Sequence, residues 1–244
     1  MALDFKNKSD HNLNWMIERP IAHRGLHDVE NGIYENTLSA AKAAIDGGYN
    51  IEIDIQPSSD MVPMVFHDYK LNRLTNERGD TRKVDAKTLT SITIKGSDDK
   101  IPTLEEFLAL IDGQVGLVIE LKGKKLQDEG FVQSIADLLA TYKGDAVIMS
   151  FHHHILMDAR EIAPDLPLGL TAQGHDGNYL THKDIAHQCN VDFISYELAE
   201  LDCQFVREFA RTGRPSISWT VKNAEDKAYS DKFVDQVTFE GFKP

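Results

Sequence analysis

Cysteine is nearly absent from this chain. Only Cys189 and Cys203 occur among 244 residues, too few and at no spacing for a disulfide framework or a cysteine-based zinc site. Positive charge is scarce as well: 26 Lys and Arg stand against 39 Asp and Glu, a net charge of −13. A field of that sign repels nucleic acid and anionic membrane, so no nucleic-acid partner is expected. An anionic small substrate then needs a local cluster of positive charge. No apolar run is long enough to cross a bilayer. The opening residues, 1–15, lack the apolar core of a secretory signal. No internal repeat or low-complexity linker interrupts the chain. These absences imply a cytoplasmic protein without a stable membrane anchor, and none of them sets an oligomeric state.

What is present is an alternation of strands and helices. Ile51, Ile53 and Ile55 alternate with Glu52, Asp54 and Gln56, a period of two that predicts a strand with both acids on one face. Including that strand at 51–56, eight are predicted, the others at 20–23, 116–121, 146–151, 166–171, 192–196, 216–221 and 235–239. Helical stretches fall between them at 36–46, 103–111, 128–142, 154–162, 182–187, 202–211 and 224–230. Thr103 followed by Glu106 reads as a capping box. The alternation predicts an α/β fold, a (β/α)8 TIM barrel filling 1–244 as one domain. The open doubly wound sheet is the alternative, but its glycine-rich turn after the first strand is missing. Residues 61–100 break the rhythm with a short strand at 63–66 and a polar stretch. They are read as a hairpin and small insertion after the second strand.

Barrels of this kind carry their chemistry at the C-terminal ends of strands. Here those ends hold His23-Arg24, Glu52 and Asp54, His67-Asp68, Glu120 and Lys122, Ser150-Phe151-His152, and Trp219-Thr220. Three carboxylates facing one cavity would repel one another, and a hard divalent cation such as Mg²⁺ or Ca²⁺ relieves that. Arg24 and Lys122 beside it would attract an anion such as phosphate. Two histidines suit acid–base work near neutral pH. Together these groups point to phosphoryl chemistry. Each also has a plainer reading: Glu52 and Asp54 as the wet face of an edge strand, Glu120 and Lys122 as a surface pair, His23 as a core histidine, His67-Asp68 as a turn.

The motifs sharpen the choice. In order they are "HRG" at 23–25, "ENT" at 35–37, "EID" at 52–54, "FHD" at 66–68 and "LNRLTN" at 71–76. "IPTLEEFL" follows at 101–108, then "IELK" at 119–122, "SF" at 150–151 and "WTV" at 219–221. This ordered set resembles the glycerophosphodiester phosphodiesterases from about residue 20 to the last strand. The resemblance implies cleavage of a small phosphodiester to glycerol 3-phosphate and an alcohol. It implies His23 and His67 as the general acid and base; the sequence does not say which does which, and His23 as base with His67 as acid is the assignment favoured here. Glu52, Asp54 and Glu120 become ligands of one divalent cation, and Arg24 and Lys122 contacts to phosphate.

Other enzymes on the same site would be a lysophospholipase D or a sphingomyelinase D-like enzyme acting on lipid. Further alternatives are a metal-dependent sugar isomerase or aldolase and a catalytically silent phosphodiester-binding barrel. Phe151, His152 and Trp219 are candidates for the substrate pocket. His153 and His154, completing a "HHH" run, are expected to be exposed, as is His175. His27, His182 and His187 carry no signal.

Three departures from the family pattern stand out. The hairpin tip is Asp60-Met61 where Asp-Gly is usual, so a turn without positive φ is expected. Lys222 follows "WTV" in place of Asn, and the last strand ends "VTFEGF" where a Thr-Asp pair is usual. This corner is expected to bear on substrate choice and to stand clear of the acid–base pair.

Overall fold

A computed structural model describes residue 3 and residues 11–244; most of the N-terminal stretch weighed for a leader lies outside the described residues. The strands are β1 (Ile21–His23), β2 (Asn50–Pro57), β3 (Pro63–Val65), β4 (Leu117–Leu121), β5 (Ala146–Ser150), β6 (Leu168–Ala172), β7 (Phe193–Glu197), β8 (Ser216–Val221) and β9 (Gln236–Phe239). All but β3 run parallel, in the order β1-β9-β8-β7-β6-β5-β4-β2, and β1 also pairs with β2 to close the ring. With helices between successive parallel strands, this is the predicted (β/α)8 TIM barrel. Each anticipated strand and helix is present within a few residues. The short helices Asn14–Glu18 and Ala86–Leu89 were not anticipated, because pieces so short carry too little periodicity.

Parallel strands in a barrel are covered on both faces, which is why they read as apolar runs. Outward-facing Ile51, Ile53, Ile55, Leu117, Ile119 and Ile148 join the helices in one large core. Inside the ring, Ile21, Val118, Val147, Phe193 and Ile217 pack with Leu13 and Met16 as a separate apolar plug. Helix Asn14–Glu18 seals that end. Gly116 makes room for it, since a Cβ there would come 2.1 Å from the Trp15 ring. Inside the ring, the charged side chains gather at the other, C-terminal mouth. The capping box is realised as predicted, with the Thr103 side chain accepting from Glu106 N and Glu106 accepting from Thr103 N.

The excursion after β2 begins with β3 pairing antiparallel to it, Ile55 opposite Val65. Beyond it, Met64, Phe66, Leu71, Leu74, Leu89, Ile94 and Ile101 form a small apolar cluster of their own. Gln56 Nε2 donates to the carbonyls of Phe66, at 2.9 Å, and Asp68, at 2.7 Å. Those bonds hold the returning chain so that His67 hangs back over the barrel mouth.

The tip of this hairpin corrects one expectation. Met61 does adopt positive φ, at 62°. The turn is held by enough bonds to impose it: Ser58 N donates to Val62 O at 3.0 Å, Val62 N to the Ser58 hydroxyl at 3.0 Å, and Ala86 N to Asp60 Oδ1 at 2.9 Å. A left-handed conformation costs a side-chain-bearing residue roughly 1–2 kcal/mol, partly offset in any exchange for glycine by the looser unfolded chain. Met61→Gly is therefore expected to stabilise the protein by about 1 kcal/mol, a Tm rise of roughly 2–4 °C for a chain of this size. A drop in Tm on thermal unfolding would show that Met61 packing outweighs its backbone strain.

Candidate active site

A cavity of about 250 Å³ opens at the C-terminal mouth of the barrel, and its wall includes His23, Arg24, Glu52, Asp54, His67, Glu120 and Lys122. Phe151 and Trp219 line it too, their rings edge to face with centroids 5.4 Å apart. Of the ten residues given a metal, phosphate, acid–base or pocket role from sequence, His152 alone is absent from this wall. Its ring lies beside Gly123 and 5.7 Å from the His154 ring.

The register explains the convergence. Parallel pairing sets Glu52 beside His23 and Asp54 beside Glu120, and alternation turns all four side chains inward with Lys122. Glu52 and Asp54 are each 1% exposed, so the edge-strand reading is excluded. One oxygen from each of Glu52, Asp54 and Glu120 lies within 4.8 Å of the others. Three converging carboxylates of this kind fit a hard divalent cation, whose usual ligands are oxygens.

Local backbone is bent to serve this cluster. Arg24 has φ of 56° and Gly25 of 79°, which aims the Arg24 N–H at Glu52 Oε2, 3.0 Å away. Gly25 cannot carry a side chain, because a Cβ would sit 2.8 Å from that of Ala40. Arg24 Nε lies 3.1 Å from Asp54 Oδ2, and its Nη1 donates to Glu35 at 2.6 Å. Lys122 Nζ lies 2.8 Å from Asp54 and also bonds Glu120.

Electrostatics follow from burial and these neighbours. Burial raises Glu52 well above the usual carboxylate range, and the nearby charges of Asp54 and Glu120 push it further. Burial likewise lifts Glu120 to about 7, against the pull of Lys122. Asp54 goes the other way: burial would raise it, but Lys122 and Arg24 hold it well below its ordinary value. Both His23 and His67 are lowered, chiefly by burial, despite a carboxylate on each.

Several contributors escaped the sequence reading. Within "ENT", Glu35 ties Arg24 to Arg73 (2.7 Å), Asn36 Nδ2 donates to Asp54 Oδ2 at 3.0 Å while its Oδ1 accepts from Asp54 N at 3.2 Å, and Thr37 caps the helix Leu38–Gly47. The motif is visible in the sequence, but the roles of its members depend on the fold. Arg73 also bonds Asp68, which accepts from His67 Nδ1 at 2.7 Å.

Glu240 is the larger correction. Expected to stand clear of the acid–base pair, its Oε2 accepts from His23 Nδ1 at 2.6 Å. His27 Nε2 lies 3.7 Å from the same carboxylate. His154 is no exposed histidine either: its Nε2 lies 2.8 Å from buried Asp128, and His153 is half-buried. His175 is on the surface, 55% exposed beside Asp202.

Asn36 sits at φ of 57° and bonds Asp54 twice, its Nδ2 to the buried carboxylate and its Oδ1 to the backbone N–H. Asn36→Ala removes both bonds and leaves a less tolerant residue at positive φ. A destabilisation of about 2–4 kcal/mol is expected in urea unfolding, several times that of an exposed Asn→Ala control. A change under about 0.5 kcal/mol would mean that Arg24 and Lys122 alone satisfy Asp54.

Comparison with known proteins agrees with this geometry. The profile of the Glycerophosphoryl diester phosphodiesterase family matches residues 23–242. A glycerophosphodiester phosphodiesterase of Caldanaerobacter subterraneus subsp. tengcongensis is 34% identical over 165 residues, covering 63% of this chain and 66% of that protein. Human glycerophosphodiester phosphodiesterase 1 is 22% identical over 251 residues, covering 88% and 75%. Among solved structures, an Oleispira antarctica phosphodiesterase in complex with the product sn-glycerol-3-phosphate matches with a TM-score of 0.81 at 22% identity, over 93% of this chain and 94% of that one. With the match running from the first catalytic-end histidine to beyond the last strand, the chain belongs to the glycerophosphoryl diester phosphodiesterase family.

Proposed function

We propose that this barrel hydrolyses glycerophosphodiesters to glycerol 3-phosphate and an alcohol, with His23 and His67 as the acid–base pair. The observation that carries the reading is one small cavity walled by three carboxylates, two cations and two imidazoles. Glu52, Asp54 and Glu120 would hold a divalent cation, Mg²⁺ or Ca²⁺, whose chemistry is to neutralise charge on the phosphate oxygens. Arg24 and Lys122 stand beside those carboxylates and present positive charge to the same anion.

Both imidazoles donate Nδ1–H to a carboxylate, which leaves Nε2 for the substrate. His23 takes the proton from the attacking oxygen, of water or of the neighbouring glycerol hydroxyl, as that oxygen bonds phosphorus. The bond from phosphorus to the departing oxygen breaks, and protonated His67 gives that alkoxide its proton. With water as attacker this is hydrolysis in one step; with the glycerol hydroxyl a cyclic phosphate forms first and water opens it. The cytoplasmic setting belongs to this reading as well, supported by Cys189 and Cys203 being free and buried thiols.

Release of glycerol 3-phosphate from glycerophosphocholine and glycerophosphoethanolamine tests it. Turnover is expected with Mg²⁺ or Ca²⁺, none with EDTA, and a fall of about 10²–10⁴-fold in His23→Ala and His67→Ala. No turnover with either ion would refute the reading and redirect attention to lysolipids.

Metal binding has its own sign with pH. Glu52 and Glu120 are both raised in the metal-free protein, so below about pH 7 a cation must displace a proton from Glu120, and the raised Glu52 adds to that competition. Affinity should therefore climb as pH rises from 6 to 7, by up to about tenfold per proton released. Calorimetric titration of the protein with Ca²⁺ in buffers of different ionisation enthalpy measures both quantities; a pH-independent affinity would remove these carboxylates from the ligand set.

A further inference from the structure

Lys222 and Glu240 depart from the family pattern at two separate strand ends, and in the fold they are one ion pair. Lys222 Nζ lies 2.8 Å from Glu240 Oε1. The backbone brings them together: Val221 ends β8, and Glu240 N donates to Val221 O at 3.0 Å just past β9. The other oxygen, Oε2, accepts from His23 Nδ1 at 2.6 Å. Each oxygen thus has its own partner, and the carboxylate has little freedom to turn.

That arrangement acts on the far side of the imidazole. A carboxylate only accepts, so the hydrogen of a neutral His23 must sit on Nδ1. The lone pair is then on Nε2, which lies 3.9 Å from Glu52 Oε2 and so points into the carboxylate cluster. Free imidazole in water has no such preference imposed on it, and a ring held only by packing could flip. Glu240 does not line the cavity itself, so it acts through His23 rather than on substrate.

We propose that Glu240 is a positioning residue for His23, holding the ring in the Nδ1–H form with Nε2 toward substrate, and that Lys222 in turn holds Glu240. The proposal rests on His23 being the catalytic base named above. A simple rim ion pair is the competing account. It explains the Lys222 contact but leaves the shorter bond to His23 without a purpose.

The test combines kinetics with ¹⁵N-histidine NMR at mildly alkaline pH, where imidazole is neutral. In the wild type, His23 should show a single Nδ1–H form. In Glu240→Ala that signal should give way to a mixture, with kcat down about 10–100-fold and KM nearly unchanged. Glu240 is only partly buried, 22% exposed, so truncation leaves the barrel intact. Lys222→Met should keep the Nδ1–H form as the major one and lower kcat by no more than about fivefold, the worth of a partly exposed ion pair.

A wild-type His23 that already populates both forms would overturn the proposal. So would a Glu240→Ala enzyme with normal kcat, or one whose loss lies in KM with the NMR signal unmoved. If no diester is turned over at all, the proposed activity fails, and the NMR arm still decides whether Glu240 orders the ring.

Discussion

Three carboxylates buried side by side are the constraint around which this molecule is arranged. Glu52 and Asp54 are 1% exposed and Glu120 7%, and charges taken so far from water are tolerated only with partners. The partners are five residues from four places in the chain: His23 and Arg24 at the end of β1, Asn36 before the first large helix, His67 beyond the hairpin, and Lys122 just past β4. Their demands propagate outward. Arg24 takes a left-handed backbone to deliver its N–H to Glu52, Gly25 follows because no side chain fits against Ala40, and Asn36 is bent as well to reach Asp54. Two half-buried cations, Arg24 and Lys122, keep Asp54 charged, while Glu52 and Glu120 are pushed toward their neutral forms. A site that strongly disfavours its own full ionisation is one poised to accept a cation.

How much of this was legible in the sequence depended on the range of the interaction. The eight strands announced themselves through local alternation, and the strand-end rule then gathered His23, Glu52, Asp54, Glu120 and Lys122 without coordinates. His67 was harder, since it reaches the site through a hairpin, yet its motif lies only a few residues beyond β2. Met61 misled because its residue type argued against positive φ, and a turn fixed by Ser58, Val62 and Ala86 overrode that preference. His154 reads as exposed in the sequence because its partner Asp128 lies 26 positions away, beyond any helical or strand period.

Glu240 could not be placed that way. Nothing local connects it to His23, 217 positions earlier; the link exists because β9 pairs with β1 when the barrel closes. A closed parallel barrel always sets its last strand beside its first. The informative question for such a sequence is therefore what the final strand end carries toward the first.

The two imidazoles show the same local design reached by opposite routes. Each gives Nδ1–H to a carboxylate, and each carboxylate is held by a cation: Glu240 by Lys222, Asp68 by Arg73. For His67 the whole assembly is local, lying within 67–73 and tied to the rest through Glu35. For His23 it depends on closure of the ring. An acid–base pair must present the same kind of nitrogen to opposite ends of one reaction, and both arrangements leave Nε2 free for that. The burial that lowers both imidazoles also keeps a base unprotonated near neutral pH, which suits His23. In the proposed reaction His67 would instead be charged to donate, and it is the more exposed of the two, 32% against 15% in side-chain surface. Water is closer to hand there to return a proton to the ring, so the difference in exposure is consistent with the proposed assignment of His23 as base and His67 as acid.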